Sequence, residues 1–132
     1  MVEIRWVNRE DANPDVQAEL MAVAAEAFLS SHGHMLSEEE KAWIRKGTTR
    51  EDYRFNWEPL PPQVLVALAV DSQRRVGAIA LHRHPRPGDY GVIEPMNIHP
   101  DYQRRGIGSR LWKFMAARSK ELGDRGMQVW AR

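Results

Sequence analysis

"HPDYQRRGIGSRLWKFM", residues 99–115, sets three arginines and two glycines between a proline turn and an apolar run of helical period. A flexible turn or a solvated basic loop would share that composition. A third reading follows from the helix that starts there. The first backbone N–H groups of a helix have no intrahelical acceptor, and the helix dipole adds partial positive charge beside them. Glycine lets the backbone come close to an anion because no Cβ intervenes. The stretch therefore predicts a diphosphate seat over Gln103, Arg104, Arg105, Gly106, Ile107, Gly108 and Ser109, with Arg104 and Arg105 adding charge. The helix behind it is expected to bury Ile107, Leu111, Phe114, Met115 and Leu122 and to end at Gly123.

Working outward, the text before this helix reads as three strands. "QVLVALAV" (63–70) is a continuous apolar run of strand length, the pattern of a strand buried on both faces. "VGAIALHRH" (76–84) follows after the short polar link "DSQRR", which makes an antiparallel hairpin. "YGVIEPMNIHP" (90–100) leads into the glycine turn. Further upstream, "VEIRWV" (2–7) alternates as a half-buried strand does. A helix then starts with Asn13 as N-cap and Pro14 in its first turn, with Val16, Leu20, Val23, Ala24 and Ala27 on its buried face and Gly33 as its stop. "SEEEKAWIRKG" (37–47) opens with a capping box, Ser37 and Glu40, and closes at Gly47. "MQVW" (127–130) is one more strand. The order predicts one α+β domain over residues 1–132, with a mixed, mostly antiparallel sheet flanked by helices.

Composition narrows the function. A chain of 132 residues with 42% hydrophobic and 28% charged residues builds a packed core in a single domain. A net charge of +1 supplies no global field for a nucleic acid. No stretch approaches the ~18 apolar residues of a membrane span, and no signal peptide is visible, so a cytoplasmic protein is expected. The absence of cysteine removes thiolate metal sites and a cysteine nucleophile together. His32 and His34 flank Gly33 but lack a third ligand, so no metal is expected.

Two familiar glycine motifs fail on specific residues. A triphosphate P-loop requires Lys after its last glycine, whereas Ser109 and Arg110 follow Gly108. A dinucleotide fingerprint requires a third small residue where Leu111 stands. What fits is Gln-x-x-Gly-x-Gly, from Gln103 to Gly108, after a strand end carrying Ile98 and Pro100. This resembles the acyl-CoA-binding motif of the GNAT N-acyltransferase superfamily, and the element order along nearly the whole chain is similar to that family's. The resemblance implies an acetyl-CoA donor, with its pyrophosphate on the backbone amides of residues 103–108 and on Ser109. It also implies that the main chain of Met96, Asn97 and Ile98 pairs with the pantetheine arm. Pro95 inside an interior strand should break the ladder, and a bulge beside it would re-aim the neighbouring backbone. An ordinary edge-strand proline is the plainer alternative.

The function this implies is direct transfer of an acetyl group to a primary amine of a small molecule or peptide. The alternative is a non-catalytic CoA-binding or interaction domain. Glu94 is the base the resemblance points to, since a carboxylate sheltered from water holds a proton more readily; the plainer reading has it facing solvent or an arginine. His82 and His84, which alternate along their predicted strand, stand behind it as bases, and His99 is expected to fix the turn before Pro100. Tyr53, Phe55 and Trp57 lie in the loop "TTREDYRFNWEPLPP" (48–62), where they either cover the core or line the acceptor pocket. Members of the family continue with a further helix and two strands that often carry the acid for the leaving thiolate. Here the sequence stops at Arg132, so a C-terminally incomplete domain, a homodimer that completes the sheet, or loss of activity is expected.

Overall fold

The run at 63–70 becomes the centre of the molecule in the computed structural model, which describes residues 1–47 and 62–129. Strand β1 (Val2–Trp6) pairs with β2 (Val64–Asp71), β2 with β3 (Arg74–His82) and β3 with β4 (Tyr90–Ile98), all antiparallel. Strand β5 (Gly126–Val129) adds to β4 in parallel, so the described residues form a five-stranded mixed sheet in the order β1-β2-β3-β4-β5.

Alternation along β2 splits the core in two. Ala67 and Ala69 join Ile79, Leu81 and Ile93 beneath Ile107, Leu111 and Met115 on one face. Val66, Leu68 and Val70 face Val16 and Leu20 on the other. A strand with a helix on each side has no solvent face, which is why its text is apolar without a break. The hairpin is tighter than expected: β3 begins at Arg74, Ser72 and Gln73 form the turn, and Ser72 takes φ 57°. Because β3 ends at His82, His84 lies in the following turn rather than beside His82 on a strand.

Helix α1 (Pro14–His32) starts as read, with the Asn13 side chain accepting from the Val16 amide. Its buried residues are Val16, Leu20, Val23, Ala25 and Leu29, whereas Ala24 and Ala27 are half-buried. At 100° per residue Ala25 and Leu29 project away from the Val16–Leu20–Val23 stripe. The helix packs against a second partner, α2 (Glu38–Gly47), as well as against the sheet. A single-stripe reading misses that second contact. The capping box of α2 is formed: the Glu40 amide donates to Ser37 Oγ, and the Ser37 amide donates to Glu40 Oε1.

Helix α3 (Ile107–Glu121) buries Ile107, Leu111, Met115 and Ser119. Phe114 is half-buried against Trp6, with ring centroids 4.6 Å apart. Gly123 takes φ 82° just after the helix, where its amide donates to the Lys120 carbonyl and that of Asp124 to the Ser119 carbonyl. These two bonds satisfy the last carbonyls and turn the chain into β5. Arg83 then clamps Asp124 at 2.8 Å, tying the exit of α3 to the end of β3.

Among the described residues, one charged group is fully buried. Asp11, at 0% exposure, accepts from Arg5 (2.8 and 2.9 Å), from Arg75 (2.8 and 3.1 Å) and from the Asn8 amide at 2.8 Å. Burial alone would raise its pKa, but these donors outweigh it and hold the carboxylate at about 2. The network pins the turn after β1 to the start of β3.

Candidate functional site

The site is built along β4 and the turn that follows it. Among the described residues, β5 pairs with residues 90–93 of β4 and with none beyond Ile93. On the β3 side the register jumps from Ile79↔Met96 to Leu81↔Ile93, so Glu94 and Pro95 together oppose Ala80. This is a bulge at Pro95, in a strand whose first half lies between β3 and β5 and whose second half pairs with β3 among the described residues. The Glu94–Pro95 peptide is cis, and His82 Nε2 lies 2.8 Å from the Glu94 carbonyl oxygen.

Past the bulge the backbone directions follow from one bond. The His99 amide donates to the Val76 carbonyl at 2.8 Å. In an antiparallel ladder alternate residues point to alternate sides. The main-chain groups of Asn97 therefore face β3, whereas those of Met96 and Ile98 face the other side of β4, where no described residue pairs beyond Ile93. The Ile98 carbonyl there accepts from Gln103 Nε2 at 3.1 Å. Of the three residues assigned to the pantetheine arm, two offer their backbone to the open edge. Asn97 instead helps line a cleft of about 20 Å³ with Leu20, Val23 and Pro95, on the α1 side of the sheet.

The open edge runs into the glycine turn. His99 Nδ1 accepts from the Asp101 amide at 3.2 Å and caps a short 3₁₀ turn, Pro100–Tyr102. Arg104 and Gly106 then adopt left-handed conformations, φ 65° and 76°. Alternating left-handed residues turn successive amides toward one side, which makes an anion-binding concavity. The first helical bond runs from the Arg110 amide to the Gly106 carbonyl, so the amides of Ile107, Gly108 and Ser109 precede the bonded ladder. Ile107 is buried by its side chain, while Gln103, Arg104, Arg105, Gly106 and Ser109 are exposed.

The two glycines have different tasks. Gly106 has open space where a Cβ would stand and is required for its φ of 76°. Gly108 has ordinary dihedrals, but a Cβ there would fall 3.1 Å from Ile98 Cδ1. Gly106 shapes the turn, and Gly108 sets how closely the helix entrance approaches the end of β4.

Three residues outside the expected set complete the surroundings. Tyr102 donates its hydroxyl to Asp71 Oδ2 at 2.6 Å, joining the glycine loop to the tip of the β2–β3 hairpin. That bond lowers the Asp71 pKa and raises that of Tyr102. The Tyr102 ring also carries the guanidinium of Arg105 at 5.1 Å and of Arg74 at 5.8 Å. An aromatic directly before Gln103 was the available signal for Tyr102. Asp71 and Arg74 are remote in sequence and local pattern cannot find them.

Glu94 is half-buried at the bulge, beside the open edge. Tyr53, Phe55 and Trp57 lie outside the described residues. No group of three or more metal-ligating side chains occurs among the described residues, and the His32 ring stacks on Phe28 with centroids 4.6 Å apart. No described helix is long and apolar enough to cross a membrane. A larger groove of about 550 Å³, lined by Trp6, Leu65, Phe114 and Arg118, lies along the second half of α3, away from the glycine turn.

A strand opened at a bulge, feeding a glycine-shaped helix entrance with unpaired amides, defines a class of folds that seat phosphate-bearing ligands along a backbone edge. The profile of the Acetyltransferase (GNAT) family matches residues 20–131, and the chain belongs to that family. No curated protein matches the chain in sequence. Among solved structures it is similar to the PaiA N-acetyltransferase from Thermoplasma acidophilum in complex with coenzyme A. That pair shares 21% identity over 99% of this chain and 79% of the other, at a TM-score of 0.73. A GNAT-family acetyltransferase from Staphylococcus aureus Mu50 shares 16% identity over 99% of this chain and 74% of its own, at a TM-score of 0.66. An aminoglycoside 6'-N-acetyltransferase complexed with coenzyme A shares 17% identity at a TM-score of 0.58; the chain spans 60% of its length.

Proposed function

We propose that the protein transfers an acetyl group from acetyl-CoA directly to a primary amine of a small molecule or peptide. The observation that carries this reading is the continuity of two backbone features. The edge of β4 at Met96 and Ile98 leads without a break into the unpaired amides of the α3 entrance. An extended amide-bearing arm ending in a diphosphate matches that surface along its length. Family membership and the coenzyme A in two similar structures support the choice of donor.

In this reading the thioester lies beside the bulge at Glu94 and Pro95. The amine nitrogen attacks the thioester carbonyl carbon, the carbon–sulfur bond breaks, and CoA leaves as a thiolate. Glu94 takes the proton that the amine releases, directly or through one water. Backbone N–H groups at the opened edge stabilise the oxyanion. The chain has no cysteine, so none of its own thiols can carry the acetyl group between donor and acceptor. Tyr53, Phe55 and Trp57 contribute acceptor contacts, and Glu51, Asp52 and Glu58 among them suit a cationic amine.

Thiol release measured with acetyl-CoA and a panel of primary amines tests the proposal. CoA set free only when an amine is present is the expected result. Binding of acetyl-CoA with no amine-dependent release would make the protein a CoA-binding domain instead.

A further inference from the structure

The donor reading accounts for a diphosphate and a pantetheine arm, but it gives Arg74 no part and Arg105 only a general positive charge beside the diphosphate. Arg74 opens β3 at the hairpin tip, and Arg105 sits one residue before Gly106. They come from segments 31 residues apart, and the guanidinium of each lies near one aromatic ring, that of Tyr102, at 5.8 and 5.1 Å from its centroid. Tyr102 is itself fixed: its hydroxyl is bonded to Asp71, and the edge of the His99 ring approaches it at 6.4 Å. Asp71, the carboxylate nearest this ring, accepts from Tyr102 and pairs with the Met1 amino group at 3.4 Å. Among the described residues, neither Arg74 nor Arg105 lies within ion-pair distance of a carboxylate, whereas Arg5, Arg75 and Arg83 each do. Two guanidinium groups near one ring concentrate positive charge there, which the single Asp71 carboxylate beside Arg105 offsets in part. Both are exposed, so an anion can reach them from solvent.

We propose that Arg74 and Arg105, braced on Tyr102, form a second phosphate position that takes the 3′-phosphate of the donor's ribose. This rests on the assignment of coenzyme A as donor. Coenzyme A carries that phosphate separately from its diphosphate, so the unpaired amides of the glycine turn and the arginine pair divide the two between them. A planar guanidinium suits a phosphate because it donates in a fork. Arg74 and Arg105 are thereby specificity-determining residues, and Tyr102 is a positioning residue.

Isothermal titration with CoA and with 3′-dephospho-CoA tests this directly on the full chain. The unsubstituted protein is expected to prefer CoA by about tenfold. Arg74→Ala should lower CoA affinity by roughly five- to tenfold and leave 3′-dephospho-CoA binding unchanged. Tyr102→Phe keeps the ring and should keep the preference, whereas Tyr102→Leu should lose it. Circular dichroism melts confirm that each variant is folded; Arg74 is exposed and outside the core, so its substitution leaves the fold intact. Equal binding of the two ligands by the unsubstituted protein overturns the proposal, as does an Arg74→Ala loss that is the same for both. Failure of both ligands to bind overturns the donor assignment itself and this inference with it.

Discussion

Ile98 Cδ1 stands 3.1 Å from the point where a Cβ on Gly108 would fall. The end of β4 and the entrance of α3 thus touch through one methyl group and one missing side chain. Substitution Gly108→Ala pushes these two elements apart by a few tenths of an ångström. The added methyl favours the helix, which offsets the contact in the folded protein. The expected result is a small change in melting temperature with roughly tenfold weaker CoA binding, read by titration calorimetry. Ile98→Val removes the Cδ1 atom, so Gly108→Ala combined with Ile98→Val should regain most of the affinity, a coupling typical of residues in contact. Additive losses in the double variant would show that the contact does not set the cradle.

Gly106 makes the opposite case. Nothing lies within 4 Å of its virtual Cβ, so the space is free and only φ of 76° resists a side chain. Gly106→Ala is expected to lose about 1 kcal/mol of stability, roughly 4 °C in melting temperature. Gly106→Asn should lose less, because Asn tolerates the left-handed region. Thermal melts of the pair check both values, and equal losses for Ala and Asn would point to a steric cause instead.

Asp11 predicts a pH dependence of stability. Its pKa in the folded protein is about 2, below its ordinary value of 3.8, because hydrogen bonds from Arg5, Asn8 and Arg75 outweigh the effect of burial. A depressed folded pKa gives stability that is complete above the unfolded value and is lost as pH falls through the folded one. The contribution is on the order of 2 kcal/mol and should vanish between about pH 4 and pH 2. Asp11→Asn should lose about 3 kcal/mol at neutral pH, since it leaves Arg5 and Arg75 without their buried partner. The variant's urea midpoint should also lack the part of the acid dependence that Asp11 supplies. An unchanged slope between pH 4 and pH 2 would remove Asp11 from that role.

Glu94→Gln separates chemistry from binding. The variant keeps the size and polarity of the side chain but cannot take a proton. Amine-dependent thiol release is expected to fall by about 10²-fold or more, with acetyl-CoA affinity within about twofold of the unsubstituted protein. A normal rate in the variant would move the base elsewhere. His82, whose ring contacts the Glu94 carbonyl, would be the next residue to test.

Much of the fold is legible in the sequence because each element carries its own local signal. Asn13 and Pro14 mark the start of α1, Ser37 and Glu40 cap α2, and Gly123 closes α3. The unbroken apolar text at 63–70 requires a strand covered on both faces, and the structure places a helix on each. Boundaries and second contacts are less legible. Arg74 and Arg75 read as turn residues until pairing with Val70 and Asp71 draws them into β3. Ala25 and Leu29 look solvent-facing until α2 is docked.

The candidate site divides in the same way. Residues 103 to 109 and their order determine a glycine-shaped helix entrance by themselves, because the amides of a first turn are unpaired wherever a helix begins. Tertiary structure alone decided that Met96 and Ile98 rather than Asn97 face away from β3, and that Gly108 is small for the sake of Ile98. It alone brought Asp71 and Arg74 to Tyr102. Those facts depend on pairing register and on contacts between distant segments, and a one-residue change in register would reverse the faces without altering any local signal.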